Sequence, residues 1–163
     1  MYGEPSNLDP LDWSWVDAEL RAAGTYWITA RGGGHPHPRP VWGIWMDEWL
    51  NLSIGSSVIT RLVQDDPDVT VHLDSGTDVV ILEGAVVGPT DDPTLIRAYN
   101  DKYDWNYTTD EYGPLIRIEP TAALAWRSAG RAGRDGFRQA GRWRFVDAPE
   151  IPSEPSAQHT DTS

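Results

Sequence analysis

After Gly24 the chain becomes a succession of short β-rich runs, most of them joined by turns rather than by helices. TYWITAR, PVWGIWM, WLNLSI, VTVHLD and VVILEGAVVG are followed by LIRIEPTAALAW and GRWRFVD. These runs are dense in β-branched and aromatic residues, the types that pack well on a pleated surface. Parallel neighbours need crossover connections of about a dozen residues or more. Most of the spacers here are shorter, so the pattern predicts an antiparallel meander and argues against a doubly wound sheet. Six or seven strands are expected. VVILEGAVVG is apolar on both faces at its start and should lie centrally. Pro120 should turn part of its run into an edge or a bend. No internal repeat is visible.

Three helices interrupt or precede the strands. Asp12 is placed to cap a helix over about Trp13–Ala23, with Val16, Leu20 and Ala23 on one face and Gly24 as the stop. SSVITRLVQDDP makes two turns with Val58, Leu62 and Val63 inward, ended by Asp66-Pro67. Asp92-Pro93 opens a third helix, TLIRAYNDKY, which should bury Leu95, Ile96 and Tyr99. Residues 1–11 read as a polar arm and 147–163 as a disordered tail. That leaves 12–146 as one domain, consistent with a chain of 163 residues.

Composition removes several function classes. There is no cysteine, which excludes disulfides, thiolate metal sites and cysteine nucleophiles and fits a reducing cytoplasm. The net charge is −12, which disfavours general binding to nucleic acid or to anionic membranes. No run approaches the ~18 apolar residues of a membrane span. The acidic opening MYGEPSNLDPLDW does not resemble a signal peptide.

The familiar catalytic patterns are weak or absent. Gly32-Gly33-Gly34 leads into His-Pro-His-Pro-Arg-Pro, which cannot open a helix, so a hairpin loop fits better than a phosphate loop. His35, His37 and His72 lack companions at metal-site spacing. His72 alternates with Val71 and Leu73 and reads as an outward strand residue. No G-x-S-x-G is present. Asp65-Asp66 and Asp91-Asp92 sit at helix boundaries, where capping explains them.

Two concentrations carry more information. Six arginines, Arg127, Arg131, Arg134, Arg138, Arg142 and Arg144, are opposed within their segment only by Asp135. That segment is +5, and the rest of the chain is −17. Guanidinium forks suit phosphates and carboxylates, although a solvated basic loop answering an acidic body explains the count equally well. The nine tryptophans supply core volume or a flat wall for a planar ring. Trp42 and Trp45 face opposite sides of an unbroken strand, unless Gly43 marks a bulge.

Taken in order, W-I-T-A-R-G-G-G-H-P-H-P-R-P-V-W-G-I-W, the helix closed by Asp66-Pro67, VTVHLD, VVILEGAVVG and Gly-Arg-Trp-Arg-Phe resemble the pyridoxamine 5′-phosphate oxidase-like split β-barrels. The likeness is strongest to their actinobacterial flavin/deazaflavin oxidoreductase branch, and it spans about Trp13–Val146. The resemblance implies a mainly β protein: a six-stranded antiparallel split β-barrel with an N-terminal helix and two short inserted helices. It also implies a homodimer with FMN or F-420 (a deazaflavin) in grooves between subunits, moving a hydride to or from a small planar substrate. The cofactor ring would lie along Pro40, Val41, Trp42 and Gly43, with backbone amides facing its polar edge. Its phosphate end would meet Ser56, Ser57, Thr60 and Arg61. Arg142 and Trp143 would come from the partner subunit. Many relatives carry Lys or Arg where this chain has Ile59. That difference keeps open a non-catalytic carrier of flavin, deazaflavin or a tetrapyrrole product. No residue is singled out as catalytic; Tyr26, Tyr103 and His72 are proton-donor candidates.

Overall fold

The computed structural model describes residues 9–32, 34–128 and 137–145. Twelve elements follow in order: β1 Asp9–Pro10, α1 Trp13–Ala22, β2 Tyr26–Ala30, β3 His37–Met46, β4 Trp49–Ser53 and α2 Ser57–Asp65. Then come β5 Asp68–His72, β6 Asp78–Thr90, α3 Pro93–Tyr103, α4 Thr109–Tyr112, β7 Leu115–Ser128 and β8 Phe137–Arg144. The sheet runs β7-β4-β3-β2-β5-β6 and closes because β6 also pairs with β7. This is the expected six-stranded antiparallel barrel, mainly β, with β8 extending from the second half of β7.

Closure depends on two long strands. β6 and β7 pair from Thr90↔Leu115 to Asp78↔Arg127, with two register shifts. One shift lies between Glu83 and Gly84, opposite Pro120. Pro120 therefore sits in a central strand beside a bulge: of the edge or bend expected from the sequence, it is the bend. The residue left without a ladder partner is Thr121, next to Pro120, and a ladder interrupted there accommodates a residue that lacks an N–H. Gly84 admits the close approach, since a Cβ on it would collide with the Glu119 carbonyl.

Strand alternation fills the barrel. Tyr26, Ile28 and Ala30 of β2, Val41 and Trp45 of β3, Leu50 and Leu52 of β4, and Val69 and Val71 of β5 all belong to the main core. α1 plugs one end with Val16 and Leu20. Asp17 fixes that helix by accepting the buried Trp45 indole N–H at 2.7 Å and binding Arg21 at 2.7 Å. Trp13 packs against Trp45, Trp143 and Phe145. Asp9–Leu11, part of the segment assigned to an arm, are tied to β8: Asp9↔Gln139 and Pro10↔Ala140 pair, and the Leu11 N–H reaches the Ala140 carbonyl. Leu11 is buried in the core.

A second, smaller core lies outside the barrel. Ile44, Leu95, Tyr99, Tyr107 and Leu115 enclose it where α3 packs on β3. Asp92 caps α3 as expected, with Pro93 at its start. Ile96 is only partly buried, contrary to the expectation. The four-residue α4 was not foreseen. Residues 1–8, 33, 129–136 and 146–163, which include the rest of the arm and the whole of the tail assigned to 147–163, lie outside the described residues.

Candidate functional site

β3 runs on past the start of β2, because Tyr26 pairs with Val41 and nothing on β2 reaches Gly43. Gly43 therefore has a free N–H and C=O, and buried backbone groups of this kind need partners. The end of α3 supplies them. The Tyr103 hydroxyl accepts the Gly43 N–H at 2.9 Å and lies 3.0 Å from the Gly24 carbonyl. The Lys102 ammonium donates to the Gly43 carbonyl at 2.9 Å and to the Tyr26 hydroxyl at 3.0 Å. Tyr26 passes its own proton to the Leu20 carbonyl at 2.5 Å. Gly43 cannot be enlarged easily, since a Cβ there would lie 2.8 Å from the Asn51 carbonyl and closer still to Leu52.

Burial sets the acidities in this cluster. It pushes the Lys102 ammonium down to about 8 and raises the Tyr26 and Tyr103 hydroxyls above the ordinary tyrosine value. Both directions follow from the cost of charge in a poorly solvated site. Among the described residues no carboxylate pairs with Lys102; instead its ammonium lies over the rings of Tyr26 and Tyr103, at 4.9 and 5.3 Å.

On the outer face of β3, Trp42 is 46% exposed while Trp45 is 2% exposed. The β3–β4 register runs without a shift from Trp42↔Ser53 to Met46↔Trp49, so Gly43 is not a bulge there and the two indoles take opposite faces. Trp42 stacks on Tyr103 with centroids 4.8 Å apart and planes 6° from parallel. Trp105 meets Trp42 nearly at right angles, 83°, at 6.2 Å.

The candidate phosphate end is close by in the chain. Ser53 lies opposite Trp42, and Ser56 is three residues further, a reach of roughly 10 Å. Ser56 caps α2 by accepting the Ile59 N–H at 3.4 Å. The helix has no acidic residue in its first turn. Ser57, Thr60 and Arg61 form an exposed row at helical spacing. The Thr60 hydroxyl donates back to the Ser56 carbonyl at 3.1 Å, and Arg61 has no ion-pair partner among the described residues. A helix N-terminus without acids, two hydroxyls and an uncommitted guanidinium fit a phosphate group.

Position 59 has a different meaning from the one suggested by the sequence. Ile59 is 0% exposed and packs in the barrel core with Leu62 and Val63. The inward face of α2 is thus 59, 62 and 63, with Val58 only partly buried. A basic residue at 59 would point into the core and not into a groove.

The remaining sequence candidates separate. Trp42, Gly43, Tyr26 and Tyr103 come together. Pro40 is exposed and Val41 is buried. Of the amides expected to face a ring, Pro40 has no N–H and that of Gly43 is taken by Tyr103. Trp143 packs against Trp13 within its own chain, and Arg142 is exposed on β8. His72 lies on the β2–β5 face, stacked on Trp27, with Nδ1 2.9 Å from the Leu73 carbonyl. Of the arginine concentration, Arg127 is committed to Asp78 and to the Trp15 ring. Arg131 and Arg134 lie outside the described residues, as does the side chain of Arg138. Sequence reasoning missed Lys102, since one lysine near a helix end gives no sign that its amine turns inward.

No family model matches the sequence, and no curated protein matches it. Solved structures do share the fold. An F-420 reductase aligns over 66% of this chain and 94% of its own at 21% identity, with a TM-score of 0.54. A Listeria innocua protein provisionally named a pyridoxamine 5′-phosphate oxidase aligns over 71% and 98% at 20% identity, TM-score 0.57. The FAD binding protein of Mycobacterium smegmatis aligns over 83% and 98% at 14% identity, TM-score 0.51. The barrel is therefore the split barrel of the pyridoxamine 5′-phosphate oxidase-like proteins.

Proposed function

We propose, from the split-barrel fold that this chain shares with flavin- and F-420-associated proteins, that it is an oxidoreductase using FMN or F-420 to exchange a hydride with a small planar substrate. The observation that carries the reading is the pairing of an exposed Trp42 face with the acid-free N-terminus of α2, bearing Ser57, Thr60 and Arg61, at one end of the β3–β4 hairpin. Ser56, Ser57, Thr60 and Arg61 would hold the phosphate. The Pro40–Gly43 stretch would support the ring. The cofactor would supply the redox chemistry, and the protein orientation and electrostatics.

Several features of the chain serve that role. Lys102 and Tyr103 lock the Gly43 peptide, so β3 is held rigid behind Trp42. The Lys102 charge stands behind the ring wall, where it favours a bound group that gains negative charge. Tyr103 is the donor candidate nearest to Trp42. Within this reading the protein acts as a homodimer in the cytoplasm, with the exposed Arg142 reaching the neighbouring subunit's groove, while Trp143 stays packed on Trp13 of its own chain. The carrier alternative starts from Ile59, which leaves that position without a basic phosphate ligand, and hydride transfer is the property that separates the two readings.

The test is a stopped-flow comparison of wild type and Arg61→Ala. Wild type reoxidises bound reduced FMN or F-420 with at least one member of a planar substrate panel. Arg61→Ala weakens cofactor binding by roughly 1.5–3 kcal/mol, the range for hydrogen bonds to charged groups. Binding without any hydride transfer across the panel would favour a carrier. Unchanged affinity in the variant would remove Arg61 from the site.

A further inference from the structure

Among the described residues, Trp42, Trp105 and Tyr112 are three of the four large hydrophobic side chains left exposed, each at 46%. They are contiguous: Trp105 touches Trp42 at 6.2 Å and Tyr112 at 6.3 Å, and Tyr112 stacks on Tyr107. Two rings in contact at 83° make a corner whichever edge points inward. Its walls are a face of Trp105 and the face of Trp42 that the stacked Tyr103 does not cover, and indole is the ring type whose negative face attracts cations most strongly. No cation of the protein lies over Trp42, Trp105 or Tyr112 among the described residues.

Four carboxylates lie close in the chain to Trp105 and Tyr112, against two basic residues of α3, Arg97 and Lys102. Asp101, Asp104, Asp110 and Glu111 are exposed, and none is in an ion pair among the described residues. The single lysine of this stretch, Lys102, turns its amine inward to Gly43 and Tyr26. Trp105 also directly follows the C-terminal end of α3, capped by Asp104 in the left-handed conformation. That end carries the negative pole of the helix. The α2 end offers the opposite: a helix N-terminus, hydroxyls and a free arginine. One end suits a phosphate and the other a positive charge.

We infer that the Trp42–Trp105 corner is a binding site for a planar ring cation, an N-alkylated or iminium-type heteroaromatic. Identifying that ring as the substrate rests on the hydride-transfer reading. The chemistry agrees with it. When such a ring accepts a hydride from the reduced cofactor, a C–H bond forms and the nitrogen recovers its electron pair, so the product is neutral. The neutral product loses its attraction to the aromatic faces and to the carboxylates, and leaves.

The experiment is calorimetric titration of cofactor-free protein with N-methylacridinium and with acridine, at a mildly alkaline pH where acridine is uncharged. The cation is expected to bind roughly tenfold more tightly than its neutral isostere, with affinity falling as salt rises. Trp105→Leu, which keeps apolar volume but removes the indole face, abolishes the preference. Asp104→Asn, which tolerates the left-handed conformation equally well, weakens the cation roughly two- to threefold. Equal affinity for acridine would overturn the inference. So would full retention of cation binding in Trp105→Leu, which would assign it to the net acidic surface. Cofactor binding is measured separately with FMN and F-420. If cofactor binds and the cation preference fails, this inference alone falls. If no cofactor binds, the hydride reading falls while the corner is still tested.

Discussion

Replacing Ile59 by lysine discriminates between two accounts of α2. If residue 59 faces a ligand groove, lysine there would leave the fold intact and tighten phosphate binding. The structure puts the side chain in the barrel core, 0% exposed. Lysine would then forfeit roughly 1.5–3 kcal/mol of apolar burial. It would also bring an amine into a site without a carboxylate, at a further cost of several kcal/mol. A loss of about 3–6 kcal/mol follows. For a domain of this size each kcal/mol shifts the midpoint by roughly 2–4 °C, so Tm falls by roughly 6–24 °C. Ile59→Val, which removes one methylene, should cost only about 0.5–1.5 kcal/mol. Circular-dichroism melts of the three proteins, followed by cofactor titration, make the comparison. A lysine variant that melts with wild type and binds cofactor more tightly would refute the placement of Ile59.

Other expectations follow from the same contacts. Asp17→Ala strands the buried Trp45 indole N–H and should cost about 1–3 kcal/mol by urea denaturation; equal stability would show that the hydrogen bond to Trp45 is not needed. Asp17 is held below its ordinary value, first by its hydrogen bond to Arg21, so its contribution is present above the unfolded carboxylate value and disappears as pH falls through the depressed one. Lys102 acts with the same sign in a higher pH window. Burial lowers it to about 8, so between about 8 and 10.5 the folded state binds fewer protons than the unfolded state and stability rises with pH. Lys102→Met should flatten that rise in a pH series of melts, and an unchanged slope would contradict the assignment. Gly43→Ala should lose roughly 1–3 kcal/mol from overpacking against Leu52 and the Asn51 carbonyl, measured by the same melts.

The barrel was legible because strands advertise themselves by period. Opposite facing of Trp42 and Trp45 follows from spacing alone, and the caps Asp12, Ser56 and Asp92 stand where helices begin. Other features depend on contacts far apart in the chain. Pro120 is central because Gly84 on β6 allows a bulge opposite it. Leu62 and Val63 of α2 face inward as the spacing predicts, but Ile59 and not Val58 joins them, since Val58–Leu62 and Ile59–Val63 are equally helical pairings and only packing selects between them. Lys102 reaches Gly43 from 59 residues away. The Trp42–Trp105 corner exists because α3 returns across β3, which no local pattern announces.

The central claim is that one end of the β3–β4 hairpin binds a phosphate-bearing flavin or deazaflavin. Titrating the purified protein with FMN and with F-420, followed by visible difference spectra, tests it most directly. The account predicts saturable binding of at least one of them in the micromolar range or tighter, with a perturbed ring spectrum and a loss of affinity in Arg61→Ala. Failure of both to bind at concentrations far above micromolar would contradict it.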